Sequence, residues 1–155
     1  MVLTAAALLY SCGRDGEPKS NHLAHSPSDA AAAAAEADLV SAVSPAGSLG
    51  PVGLKFKVPE PPRVGQPLRL ELVLAQAPGL DISHMLVSLQ PSDGLLLESE
   101  HNIEFEAPAT GATQRMTVNV RAQQEGLLSL NATVLVDAGN SSLTRSFSIP
   151  LIAAP

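Results

Sequence analysis

The chain has 155 residues, of which 45% are apolar, 15% are charged and 3% are aromatic, and its formal net charge is −6 at pH 7. This length suits one modest domain or one domain with a tail. The negative charge and the four aromatic residues argue against phosphate-binding and base-stacking surfaces, so we expect no nucleic-acid partner. A single cysteine excludes an intramolecular disulfide and a thiolate zinc finger.

The amino terminus carries a short apolar stretch over residues 2–10, which is interrupted only by Thr4 and runs into Leu9-Tyr10-Ser11-Cys12. It is too short to span a bilayer, but it has the length of the apolar part of a signal peptide. The pattern of an aliphatic residue, a variable residue, a small residue and cysteine resembles the lipobox of bacterial lipoproteins.

The lipoprotein resemblance implies cleavage between Ser11 and Cys12, with a diacylglycerol on the Cys12 sulfur as the membrane anchor. Two or more acyl chains anchor a protein stably where one does not. Gly13 stands where an aspartate favours inner-membrane retention in that family, and this favours the outer membrane. The alternative for Cys12 is a free thiol in an ordinary signal peptide or a small buried side chain.

These features predict a signal peptide over residues 1–11, a flexible tether over 12–50 and a domain over 51–155. The tether is rich in small and polar residues, and a flexible chain of that length reaches roughly 30–35 Å. Within it, Ser28 is a candidate cap for a marginal helix from Asp29, through the alanine run, to about Val43. The predicted tether is therefore partly helical.

From residue 52 onwards the apolar residues recur at every second position, which is typical of half-buried strands. Turn-forming Gly, Pro, Asn and Asp residues separate the runs. We predict seven or eight short strands, over residues 52–58, 68–74, 84–89, 95–98, 103–106, 116–121, 128–136 and 147–151.

Strict alternation buries one face of each sheet, so two antiparallel sheets packed face to face are predicted. The chain around 64–70 and 126–132 resembles the second and the penultimate strands of immunoglobulin-like domains of bacterial surface proteins. That resemblance implies an all-β, antiparallel, immunoglobulin-like β-sandwich without the disulfide and core tryptophan of antibody domains. Such folds host many functions, so the fold argues for none of them.

Histidine and acidic residues in the second half of the domain suggest a metal site as an alternative function. His84 and His101, with Met85 and Met116, are ligand types that suit copper. Glu100, in the group Glu98, Glu100, Glu104 and Glu106, is a ligand type that suits calcium. The competing interpretation places both methionines in the core and the carboxylates on a solvated strand edge.

No nucleophile elbow, phosphate-binding loop or dinucleotide-binding pattern occurs in the chain. We therefore expect neither enzymatic activity nor a cofactor or small-molecule substrate. The sequence instead predicts a lipid-anchored module of the bacterial cell envelope that binds an envelope protein, in a binding or structural role. Recognition through an exposed sheet edge or through the loops 77–83, 91–94, 107–113 and 138–141 both remain open.

Overall fold

The structure, a computed structural model, describes residues 38–45 and 50–155. The predicted signal peptide, the lipobox with Ser11 and Cys12, and the alanine run at residues 30–35 lie outside the described residues. Within the described part, no helix is long and apolar enough to cross a membrane.

The described residues form nine β-strands. In chain order these are β1 (Val40–Ser41), β2 (Val52–Lys57), β3 (Pro67–Gln76), β4 (His84–Pro91), β5 (Leu95–Leu97), β6 (Asn102–Glu106), β7 (Thr113–Ala122), β8 (Gly126–Ala138) and β9 (Ser141–Ala153). They form two antiparallel sheets, a five-stranded sheet in the order β1-β2-β3-β7-β5 and a four-stranded sheet in the order β6-β4-β8-β9. The predicted immunoglobulin-like β-sandwich is confirmed.

The core lies between the two sheets and is built from the alternating apolar positions that the sequence shows. Leu70, Leu72, Val118, Leu130 and Ile149 are each 0% exposed. The long β8–β9 hairpin pairs Leu130 with Ile149 and Ala132 with Phe147, which aligns the inward residues of the two strands in rows. Burial of these side chains is the main term that stabilises the sandwich, since each contributes about 1.5–3 kcal/mol.

The N-terminal segment, residues 38–45, closes one edge of the sandwich by passing from one sheet to the other. Val40 and Ser41 pair with Phe56 and Lys55 of β2 in the five-stranded sheet. Val43 then exchanges two backbone hydrogen bonds, of 3.0 and 2.7 Å, with Ser148 of β9 in the four-stranded sheet.

The prediction of a helix reaching Val43 is wrong for the residues that the structure describes. Val40 and Ser41 form a strand, and Val43 forms a β-bridge. The edges of β2 and β9 offer backbone partners here, and β-branched valines favour strands, so sheet pairing outweighs a marginal helical preference. The part of the predicted helix over 29–37 lies outside the described residues. The chain that pairs with the sandwich begins before residue 51, where the domain was predicted to start.

Arg145 fixes the N-terminal segment from inside the sandwich. This side chain is only 6% exposed; its guanidinium donates to the Val52 carbonyl at 3.1 Å and to the Ser44 hydroxyl at 3.2 Å. It also lies 5.4 Å from the centre of the Phe147 ring. A Cβ atom on Gly50 would collide with this guanidinium, so glycine at position 50 permits the close approach.

A second crossing segment, residues 95–106, closes the opposite edge. Its first part, β5, pairs with residues 120–122 of β7 in the five-stranded sheet. After Glu98 donates its backbone N–H to Asn119 at 2.9 Å, the chain crosses to the four-stranded sheet. There the His101 carbonyl accepts from the Leu89 N–H, and β6 pairs with β4.

Truncation of a central core side chain tests the packing. Leu70→Ala is expected to lower the free energy of unfolding by about 2–5 kcal/mol, because it leaves a cavity where the sheets meet. The matched control is Leu96→Ala, whose side chain is 43% exposed and which should cost about 1 kcal/mol or less. Urea denaturation measures both values, and equal losses in the two variants would contradict the assigned core.

Candidate functional site

Five cationic side chains share the outer face of the five-stranded sheet. The outward positions of β2, β3 and β7 carry them, and these three strands are neighbours in the sheet. We call this surface the basic face; it consists of Lys55, Lys57, Arg69, Arg115 and Arg121. Only two other Lys or Arg residues, Arg63 and Arg145, occur in residues 50–155.

Carboxylates hold three of these cations in place. Arg115 donates to Glu71 at 2.8 Å, Arg121 to Glu98 at 2.6 Å and Lys57 to Asp38 at 2.8 Å. These side chains are between a quarter and two thirds exposed, so each pair adds little to stability. Their effect is to order the cations across the sheet, while the face keeps an excess of positive charge.

A shallow cavity of about 460 Å³ lies within the basic face. Glu71 is at its centre, with Lys57 and Thr117 directly opposite on the neighbouring strands. Arg69, also in the cavity wall, donates to the Thr117 hydroxyl at 3.4 Å. Guanidinium and ammonium groups arranged in this way suit carboxylate or phosphate ligands.

The floor of the basic face is apolar and covered by its charged neighbours. Val73 faces outward on β3 but is only 2% exposed. It is paired with Lys55 on one side and with Arg115 on the other, and long cationic side chains cover apolar neighbours with their aliphatic stems. Val73 is therefore shielded from solvent although it lies on the outward side of the sheet.

The outer face of the four-stranded sheet differs from the basic face in charge. Glu104 and Glu106 lie on β6, and Asp137 on β8. His84 lies between them on β4, opposite Glu106 and Asp137, with its Nδ1 3.4 Å from an Asp137 oxygen. No Lys or Arg lies on this face in the described residues, so the sandwich has one basic and one acidic outer face.

The structure does not bring the predicted metal ligands together. His84 begins β4, whereas the His101 carbonyl bonds to Leu89 five residues further along that strand, which separates the two by roughly 16 Å. Glu100, exposed between β5 and β6, lies beside His101 in the chain. No group of three or more potential ligands occurs within residues 38–45 and 50–155.

The methionines of the copper hypothesis lie in the core instead. Met85 is 0% exposed and Met116 is 8% exposed.

Three of the candidate recognition loops meet at one end of the sandwich, namely 77–83, 107–113 and 138–141. There the Ser83 N–H donates to the Asp137 carbonyl and the Ala107 N–H donates to the Ser83 carbonyl. The loop 91–94 lies at the opposite end.

The basic face and Arg145 were not predicted from the sequence. Alternation indicates that Lys55, Lys57 and Arg121 point outward, but only the strand order shows that they share one surface. For Arg145 a signal exists, because it falls on the inward parity of β9 between Leu143 and Phe147. A cation at an inward position of a strand indicates an internal hydrogen-bonded anchor, because a buried charge needs partners.

Comparison with known proteins supports the fold. No protein-family model matches the chain, and no curated protein sequence matches it significantly. Native alpha-2-macroglobulin of E. coli is similar to it with a TM-score of 0.55 and 20% identity, over 69% of this chain and 7% of that one. The GAE domain of GGA2p from Saccharomyces cerevisiae is similar with a TM-score of 0.51 and 10% identity, over 73% of this chain and 96% of that one. At these identities the likeness shows a shared β-sandwich, and the chain spans only a small part of the E. coli protein.

The ion pair between Asp38 and Lys57 makes the local environment of the N-terminal segment depend on pH. The hydrogen bond and charge of Lys57 lower the pKa of Asp38 below its ordinary 3.8, and Asp38 raises the pKa of Lys57 above its ordinary 10.5. The contribution of Asp38 is therefore present above about pH 4 and lost as pH falls through its lowered pKa; that of Lys57 is lost as pH rises through its raised pKa. NMR shifts of the Val40 and Ala42 amides should report both transitions.

The matched control for this measurement is Asp38→Asn, which removes the acidic transition from the segment. We expect its Val40 and Ala42 shifts to stay constant over the acidic range in which the wild-type shifts change. An identical acidic response in both proteins would show that the ion pair with Asp38 is not the cause of the shift changes.

Proposed function

We propose that this protein is a lipid-anchored, non-enzymatic binding module of the bacterial cell envelope, which presents its β-sandwich to a protein partner and needs no cofactor. Cys12 carries the lipid, cleavage follows Ser11, and the outer membrane is the favoured location. The basic face is the recognition surface, and the partner offers a carboxylate-rich surface to it.

The observation that carries this proposal is the segregation of charge on an acidic chain. Five cations are concentrated on one sheet face, while the opposite face carries Glu104, Glu106 and Asp137. A chain whose net charge is −6 gains no solubility from such an arrangement. Complementary charge does speed association and fix the orientation of a partner, and this is the effect that the basic face supplies.

The N-terminal segment supports the same geometry. It joins the sandwich at the edge of the five-stranded sheet, where Asp38 contacts Lys57 of the basic face. A tether that leaves at this edge joins the membrane anchor to the side of the domain that carries the basic face. A partner close to the membrane is then within reach of that face. Confinement by the anchor raises the effective concentration of the module for that partner.

Neutralising the basic face in the native host tests the proposal. Cross-linking in intact cells with a photoreactive group that does not depend on lysine amines, followed by mass spectrometry, identifies the protein joined to the wild-type chain. Lys55→Gln with Arg69→Gln is expected to reduce that cross-link at least tenfold, equivalent to about 1.4 kcal/mol. Cys12→Ala should release the chain from the membrane fraction and reduce the same cross-link.

The matched control is Thr133→Glu with Leu127→Glu, which changes the net charge equally but places the two carboxylates at well-separated, exposed positions of β8 on the outer face of the four-stranded sheet. It should leave the cross-link unchanged. Equal loss in both double variants, or none in either, would argue against recognition by the basic face. A chain that keeps its full amino terminus and a free Cys12 thiol would argue against the lipid anchor.

A further inference from the structure

β5 is the strand next to β7 at one edge of the five-stranded sheet, and we call the position beside β7 on this side the lane. The described residues fill only half of this lane. β7 has ten residues, but its outer neighbour β5 has three and pairs only with residues 120–122. Beyond Ser99, which accepts from the Asn119 N–H at 2.8 Å, the chain crosses to the other sheet. No strand of the described residues lies in this lane beside residues 113–118 of β7, which we call the open half-edge.

The backbone of β7 presents hydrogen-bonding groups to this lane. Asn119 directs both its carbonyl and its N–H toward the second crossing segment. Backbone groups alternate in direction along a strand, so Thr117 and Thr113 present theirs on the same side as Asn119. A sheet edge of this kind accepts an added strand.

Apolar side chains of the two sheets border the lane on its inward side. Across the gap between the sheets, Ile103 and Phe105 on the inward side of β6 are only half-buried, although they pack against the core. Met116, on the inward side of β7, is 8% exposed. A strand added beside the open half-edge would cover these side chains with its own inward residues.

β5 itself shows which side chains suit this lane. Leu95 and Leu97 point inward and are 6% and 7% exposed. Glu98, which follows them, reaches Arg121 of the basic face at 2.6 Å. An occupant of the remaining lane therefore needs apolar residues inward and carboxylates outward, beside the basic face.

We propose that the open half-edge binds an extended segment of the protein partner, with alternating apolar and acidic residues, as an additional strand of the five-stranded sheet. This inference rests on the proposed function and specifies how the partner is recognised. Main-chain hydrogen bonds to β7 supply affinity, inward side chains cover Phe105, and outward carboxylates lie beside the basic face.

A second copy of this chain fits the lane less well, although β6 has the alternating acidic pattern. Pairing of β6 with β7 of another copy would place the two crossing segments side by side at the two-fold axis. Glu100 of one copy would then approach Glu100 of the other, and like charges at close range are unfavourable. A separate peptide segment meets no such obstacle.

NMR titration of the full 155-residue chain tests this proposal, with synthetic capped peptides as probes. The acidic probe is Ser-Val-Glu-Val-Glu-Val-Ser, and its counterparts carry lysine for glutamate or N-methyl groups on alternate backbone nitrogens. We expect saturable shifts of the Thr113, Thr117 and Phe105 amides with the acidic peptide. The lysine peptide should bind at least tenfold more weakly, and the N-methylated peptide should not bind.

Two substitutions locate the peptide on the surface. Thr117→Glu places a like charge beside the bound carboxylates and should weaken binding at least tenfold, with the protein spectrum otherwise preserved. Thr133→Glu, on the other sheet, should leave binding unchanged. Phe105→Ala should also weaken binding, whereas Leu127→Ala, where the side chain is 75% exposed on the four-stranded sheet, should not.

Several results would overturn the proposal. These are shifts confined to Thr144 and Ser146 of β9, equal affinity for the acidic and lysine peptides, or no saturable shift up to about 1 mM peptide. Concentration-dependent shifts of Thr117 without peptide would assign the lane to a second copy instead. If no peptide binds but Lys55→Gln with Arg69→Gln still abolishes the cross-link in the host, the docking mode fails while the proposed function stands.

Discussion

The sandwich depends on two segments that each change sheets, because these segments close its two edges. The N-terminal segment pairs with β2 and then with β9, and Arg145 holds it from within. The second crossing segment pairs with β7 and then with β4. Each covers the gap between the sheets with a short length of chain, but a segment that leaves one sheet halfway along an edge cannot cover the rest of it. The open half-edge of β7 results because the second crossing segment leaves the five-stranded sheet after pairing with only part of β7.

The same strand order determines where the charges lie. β2, β3 and β7 are adjacent, so outward cations that are far apart in the chain form one surface around Glu71. The open half-edge borders this surface. Backbone donors and acceptors, half-buried apolar side chains and cations therefore meet along one side of the domain, and this combination is the basis of the proposed binding of an extended acidic segment.

Alternating hydrophobicity was sufficient to predict β2 to β9 and their inward residues, from Leu70 and Leu72 to Ile149, because a half-buried sheet imposes a period of two. It could not show which strands are neighbours, and hence missed the basic face and the separation of His84 from His101. Residues such as Val40 and Val43 have weak local preferences, and only the edges of β2 and β9 decide their conformation. The burial of Arg145 could have been predicted from the sequence, because it lies at the same alternate positions of β9 as the inward residues Phe147 and Ile149.

Amide hydrogen exchange along β7 of the full chain tests the open half-edge most directly. Alternation directs the Met116 and Val118 amides toward β3 and the Thr113 and Thr117 amides toward the side of β7 on which no strand of the described residues lies. We predict exchange at Thr113 and Thr117 that is roughly a hundredfold or more faster than at Met116 and Val118, since among the described residues only the latter two face a paired strand. Protection of Thr117 equal to that of Met116 in the unbound, monomeric chain would contradict an open edge and show that the lane is already filled.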